Sequence, residues 1–451
     1  MKNTAFFCFL MLALHGAAMA MHDYREEGEE WEYDWDSKHG QPFLLKDTMH
    51  VIKTEAGYMK VVRNTFSWAT EKSMHIGFIT MEPKSLFIPQ YIDSGLVLFI
   101  KRGEAKLGVI HKDELSERRL KPGDIFRIEA GSVFYIVNTG QGQRLHVICS
   151  IDPSESLQTS SFQPLFVAGG VSPPSVLSGF GMETLATAFN VSVEELRVVT
   201  SSQSQGPITF IDDSISPKRE RKGSKLLETN KMMLADTIEE EDMFSWRKLF
   251  GYFAKKGEKK HDAGGKAHDS YNIYDKKKDF SNNYGWSVAV DGNDYKPLKH
   301  AGIGVYLVNL TAGSMMAPHW NPRAAEYGVV LGGSGRVEIV HPNGTGAFSE
   351  EVSEGDVFWV PRYFPFCQIA SRTAPFEFFG FTTSARRNRP QFVAGANSVL
   401  HALMGRELAA GFGVAEEELK GLIDAQREAV ILPSAEVAPP GETRGDTPEK
   451  I

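Results

Sequence analysis

A chain of 451 residues is long enough for two or three domains, each with a core of its own. Apolar residues make up 42% and charged residues 24%, an ordinary globular mix. The formal net charge of -8 is modest and gives no reason to expect a nucleic-acid partner.

Residues 1–20 read as a signal peptide. Lys2 supplies the basic start, Ala5 to Leu14 is an apolar run too short to span a bilayer, and Ala18-Met19-Ala20 is a small-x-small cleavage site. No later stretch approaches the roughly 18 apolar residues of a membrane span, so no membrane partner is expected. Cleavage removes Cys8 and leaves Cys149 and Cys367, two distant thiols that read as buried residues rather than a disulfide framework. Entry into the secretory pathway makes the sequons at Asn190, Asn309 and Asn343 glycosylation candidates. Asn343, in a Pro-Asn-Gly turn, is the best placed, whereas Asn309 lies in an apparent strand.

Residues 21–40 form an acidic, aromatic arm. From there to residue 200, short β-branched and aromatic runs alternate with turn signals, as in Gly95 to Ile100, Asp124 to Ile128 and Val133 to Val137. Many short strands at close spacing predict a sandwich or barrel. A helical pattern follows, with Ser192 placed to cap Val193 onward. Residues 201–284 are charged and loop-like, with one amphipathic helix predicted over Glu239 to Lys256. Residues 285–432 repeat the first half. Gly123-Asp124 is matched by Gly355-Asp356, Phe166 to Gly169 by Phe392 to Gly395, and Leu185 to Leu196 by Leu408 to Leu419. The ordered set of matches indicates an internal duplication. In the second copy, Ser398 to Ala410 and Ala415 to Ala429 are predicted helices broken at Gly411 to Gly413. The tail, 433–451, is rich in Pro, Glu and Gly and is expected to be disordered.

The stretch from Gly313 to Gln368 carries a further signal: Gly313, His319, Asn321, Glu326 and Gly332, then Gly355, Pro361 and Phe366. Its spacing resembles the two signature motifs of the cupin superfamily, in which a His-x-His pair, a Glu and a later His surround a metal. Two such frames, a helical arm after each and a signal peptide together resemble the vicilin family, the 7S seed globulins of plants. The resemblance implies a mainly β chain of two jelly-roll cupin barrels in tandem, each followed by an α-helical arm. It also implies a non-enzymatic nutrient reservoir in seed protein storage vacuoles, assembled as a homotrimer through the arms. Composition adds nothing to the storage reading, since 11 Gln and 14 Asn do not make the chain amide-rich.

The frame is kept better than its chemistry. In the first barrel Gln90 and Ile92 stand at the His-x-His positions and Phe134 at the second-motif His, so that barrel reads as structural. The second barrel keeps His319 and Glu326, with Asn321 for the second His, Phe366 for the later His and Tyr363 for a motif glycine. Two readings stand. In one, His319 is a packed, hydrogen-bonded histidine and no cofactor is needed. In the other, His319, Asn321, Glu326 and Cys367 converge to hold Cu or Zn, or the barrel takes a small organic acid beside Tyr363, Phe366 and Gln368. Strand alternation turns Cys367 away from the cavity if Phe366 faces in, and only a slip or bulge near Pro365 would reverse this.

Overall fold

A computed structural model describes residues 43–64, 73–157, 162–211, 270–434 and 436–439. The predicted signal peptide, acidic arm and linker helix lie outside these residues. The first barrel has two antiparallel walls. One is a seven-stranded sheet in the order Thr48–Thr54, Gly57–Val62, His75–Met81, Leu145–Asp152, Gly95–Arg102, Asp124–Ile128 and Tyr271–Asn272. The other is a six-stranded sheet centred on Ser85–Ile92, Phe134–Asn138 and Ala105–His111. Inward side chains such as Leu98, Phe126, Phe134 and Ile136 fill the space between them.

In the second barrel both walls belong to one eleven-stranded sheet, because the strand Glu326–Val340 runs through both. Its first half pairs with Phe376–Thr382 and Val357–Val360, and its second half with Phe366–Ala370 and Gly346–Ser353. The strand turns the corner at Gly333, whose φ is 75° and where a Cβ would stand 1.7 Å from the Pro375 carbonyl oxygen. Phe358 and Phe378 pack between the walls with centroids 5.7 Å apart, while Tyr327 and Trp359 lie on the alternate face of the same strands, and all four are inaccessible to solvent.

The duplication is visible bond by bond. Asp124 Oδ2 accepts from the Lys121 amide at 2.8 Å, and Asp356 Oδ2 accepts from the Ser353 amide at 2.9 Å. Gly123 and Gly355, before these aspartates, hold left-handed φ of 89° and 94°. The Val167 amide donates to Pro89 at 3.0 Å, and its counterpart Val393 to Pro318 at 2.7 Å.

Each barrel also borrows chain from the other half. Leu45 N donates to Val357 O and Trp359 N to Phe43 O, both at 2.8 Å, so the first described residues line the edge of the second barrel. Reciprocally, Tyr271–Asn272 pairs with Asp124 and Ile125 of the first barrel. Asn272 Nδ2 reinforces this by donating to Asp124 Oδ1 at 2.9 Å. The segment 201–284 is therefore not a linker throughout. Ile208–Phe210 also pairs with Ser85–Phe87, and Phe280–Asn282 pairs with Gly285–Ser287. Between the barrels Phe99 and Phe379 stack with centroids 3.9 Å apart.

The first arm comprises Met182–Phe189 and Val193–Ser201, the latter opened by the expected Ser192 cap in a reciprocal box with Glu195. The second arm departs from expectation. Its first helix is split into Val399–Ala402 and Arg406–Phe412, and its last, Glu416–Asp424, ends five residues early. Ala409, Leu419 and Ile423 bind these pieces into a small core. Of the tail expected to lack structure from Pro433, residues 433–434 and 436–439 are described and hold defined positions, and the rest lie outside the described residues. Ile431–Pro433 pairs with Ser314–Met316, and Ala438 is buried.

Phe43 packs among Phe348, Trp359 and Phe364 at centroid distances of 6.0, 6.3 and 6.0 Å. Phe43→Ala should destabilise the protein by about 3–5 kcal/mol, the usual cost of emptying a buried aromatic site. The check is a urea unfolding curve read by Trp fluorescence; an unchanged midpoint would show that this strap carries no stability.

Candidate functional site

His319 sits on the strand Ser314–Trp320, opposite Phe366 on Phe366–Ala370. A register shift between Met316 and His319 sets this pairing. His319 Nδ1 lies 2.8 Å from the Ala317 carbonyl oxygen. A carbonyl can only accept, so Nδ1 carries the proton and Nε2 presents a lone pair. The ring packs against Phe366 at 4.1 Å and Phe392 at 5.1 Å.

Glu326 opens the long strand and is buried in the same interior. Asn321, on the loop between them, accepts from Asn388 Nδ2 at 2.6 Å. These groups border or adjoin a cavity of about 520 Å³ that also exposes Tyr306, Gln368, Arg386 and Arg389. Among the described residues, Tyr306 Oη, Glu326 Oε2, Gln368 Oε1 and Asn388 Oδ1 have no hydrogen-bond partner of normal geometry. Buried polar atoms of this kind cost free energy unless something fills the cavity to satisfy them.

Burial sets the charge states. It lowers the His319 imidazolium to about 4, against an opposing pull from the Ala317 bond. It raises the Glu326 carboxyl to about 8, with the Asn321 side chain pulling weakly the other way. At neutral pH the site therefore holds a neutral imidazole and a carboxylic acid able to donate its own proton.

The proposed metal cluster does not form. Cys367 lies on the opposite face of its strand, in a small cluster with Ile369, Met315 and Ala438. The bulge that would have turned it inward falls on the facing strand, between Met316 and His319, and not near Pro365. No group of three or more His, Cys, Asp or Glu side chains among the described residues is arranged to hold a metal ion. One imidazole, an amide and a protonated carboxyl are a poor donor set for Cu or Zn. Tyr363 also leaves the proposed pocket. Its side chain is exposed, its φ is 72°, and the Arg362 guanidinium lies over its ring at 4.6 Å. Phe366 packs on His319 and Gln368 lines the cavity, as expected of alternate residues facing inward.

The first barrel repeats this geometry with different residues. Gln90 pairs with Phe134 across the same kind of register shift, and both are buried. Tyr306 and the Arg386–Arg389 run were not singled out from sequence. The run Arg386-Arg387-Asn388-Arg389 was legible as a basic cluster, but nothing in Tyr306 distinguishes it from a core tyrosine. Of the sequons, Asn343 is exposed in its turn, Asn190 caps a helix with φ of 52°, and Asn309 is held in a paired strand.

The cupin family profile matches residues 43–197 and 271–420. A vicilin-like seed storage protein of Arabidopsis thaliana is 54% identical over 418 residues, covering 88% of this chain and 81% of the relative. Another from the same plant is 33% identical over 420 residues, covering 90% of this chain and 55% of the relative. Among solved structures, a vicilin of Capsicum annuum superposes with a TM-score of 0.72 at 20% identity, covering 87% of this chain and 99% of that one. A vicilin of Solanum melongena, described as holding different anionic ligands in structurally similar pockets, superposes at 0.71 with 19% identity, covering 87% and 98%.

The two buried groups pull stability in opposite directions with pH. His319 resists protonation when folded, so its contribution is lost as pH falls from about 6.5 towards 4. Glu326 holds its proton when folded, so stability is full below about 4.5 and is lost as pH rises towards 8. Glu326→Gln should therefore stabilise the protein at pH 8, by on the order of a few kcal/mol, and much less at pH 5. Urea midpoints at both pH values test this; an equal shift at each would mean that Glu326 does not titrate as its burial requires.

Proposed function

The chain belongs to the cupin family and, within it, to the vicilin-like seed storage proteins, and we propose from that premise that it works without catalysis as a homotrimer in protein storage vacuoles. Storage follows from its relatives, one of which is 54% identical along most of both chains. The observation that favours assembly is the apolar surface left on both arms. Val198, Val199, Phe189, Leu403, Phe412 and Leu422 are all more than half exposed, Leu422 by 70%. Helical faces of this kind are stable in water when a neighbour covers them. Among the described residues neither barrel brings together three imidazoles and a carboxylate to hold a catalytic metal, which supports a non-enzymatic role. Asn343, exposed in its turn, is the glycan acceptor we favour.

The trimer is tested by light scattering on the purified protein, together with immunoblots through seed maturation and germination. The expected result is a trimeric mass, accumulation in the maturing seed and loss after germination. Val199→Asp with Leu422→Asp should release smaller species whose circular dichroism still shows folded barrels. A monomeric wild type, or a trimer indifferent to both substitutions, would refute docking through the arms.

A second reading, a small organic acid in the second barrel, is favoured by the unsatisfied polar atoms around the cavity. Tyr306 Oη and protonated Glu326 can donate to a carboxylate, and Arg386 and Arg389 supply positive charge at its margin. The anionic ligands described for the Solanum melongena vicilin support the same chemistry. Calorimetry with benzoate should detect one site per chain, weakened about tenfold or more by Tyr306→Phe, in line with one lost buried bond to a charged group. Absence of saturable benzoate binding would leave the barrel as a structural unit.

A further inference from the structure

A separate cavity of about 560 Å³ opens between the barrels. One wall is the outer face of the first barrel's seven-stranded sheet; the other carries Val329, Val330, Glu354 and Gly355. Register places Tyr58 opposite Thr80, Thr80 opposite His146, and His146 opposite Arg102, a polar row across four strands. Lys60 lies two residues beyond Tyr58, on the same face. Val147 pairs with Ile100 while His146 pairs with Arg102, so Lys101 is an extra residue. Such a bulge re-aims side chains, and both Lys101 and Arg102 line the cavity.

The charge is one-sided. Lys101 is paired with Glu354 at 2.6 Å, and Glu354 is the one acidic residue in the lining. Lys60 and Arg102 have no ion pair among the described residues, although Lys60 Nζ stands 5.3 Å above the Tyr58 ring. His146 Nδ1 approaches Thr80 Oγ1 at 3.3 Å. Burial, then the neighbouring Lys101, Arg102 and Arg144, disfavours the His146 cation, with Glu354 opposing. A concentration of positive charge in a chain whose net charge is -8 is a local departure from its background. Lys and Arg offer donors only, so a partner must be an acceptor, and two uncompensated cations are matched by a dianion.

We propose that this cleft binds a phosphate group, either the free ion or a small phosphate ester, with Lys60 and Arg102 as its charge partners and Thr80 as a hydroxyl donor. A phosphate is close to dianionic at neutral pH and presents three or more acceptor oxygens. The arginine fork suits it geometrically, and the lysine adds a compact charge. Free phosphate and esters share this chemistry, and the volume leaves room for a sugar-sized carrier.

Calorimetry on the full chain at constant ionic strength, with inorganic phosphate and with glucose 6-phosphate, tests the proposal. The expected result is saturable binding at one site per chain, at least tenfold weaker in Lys60→Met/Arg102→Met. The single substitution Arg102→Gln, on an exposed side chain, should weaken it in the same direction if the double variant folds poorly. Tighter binding of the ester assigns the cleft to a phosphate ester, and tighter binding of the ion to free phosphate; either supports the site. The proposal is overturned if neither probe saturates, if both variants bind as the wild type does, or if Arg386→Gln, at the mouth of the second barrel, abolishes binding instead.

Discussion

The structure depends on a reciprocal exchange of chain between the barrels. The strands Asp124–Ile128 and Val357–Val360 follow the matched Gly-Asp turns and occupy corresponding places in the two repeats. Each would leave a row of unpaired amides and carbonyls at a sheet edge, the site where strands invite foreign pairing. Tyr271–Asn272, at the start of the second repeat, covers the first edge. Phe43 to Leu45, at the start of the first repeat, covers the second. The family matches begin at these same two segments, residues 43 and 271. Each repeat therefore donates its opening residues to the other, and neither barrel closes its edge from within its own repeat. The Phe99–Phe379 stack and the buried Asn64–Tyr327 hydrogen bond of 2.7 Å lie on the contact this exchange draws together.

The barrel interiors are filled by packed side chains. Where a metal holds a fold together, its ligands must be deprotonated and convergent. Here the cores are closed by apolar packing, and the inward polar positions differ between the two barrels. Gln90 and His319 occupy equivalent places opposite Phe134 and Phe366, so one backbone frame carries different polar side chains. Glu326 illustrates the consequence. Burial disfavours its charged form, so the carboxyl keeps its proton and can act as a hydrogen-bond donor.

Much of this was legible in the sequence because it is local. A Gly-Asp turn, a Ser-x-x-Glu cap and the alternation of Phe366, Cys367 and Gln368 each depend on a few neighbouring residues. Turn chemistry, capping and pleat period determine them directly. The exchange was not legible, because Tyr271–Asn272 has no feature that names Asp124 as its partner across such a distance in sequence. The first residues of the tail misled for a related reason. Its composition suits disorder, yet Ile431–Pro433 gains order from the strand Ser314–Trp320, and Ala438 from the outer face of Cys367. The inter-barrel cleft is further still from sequence, since Lys60, Arg102 and His146 meet only through strand register and a bulge.

The exchange also removes two strand edges from the surface open to association. With the edges of Asp124–Ile128 and Val357–Val360 covered, growth by strand addition at those positions is blocked. The arms remain: each buries a few residues, Leu185 and Leu196 in the first and Ala409, Leu419 and Ile423 in the second, and turns other apolar side chains outward. A storage protein must reach high concentration without forming open-ended β-aggregates. Covering two strand edges from within one chain keeps those edges from pairing with other copies.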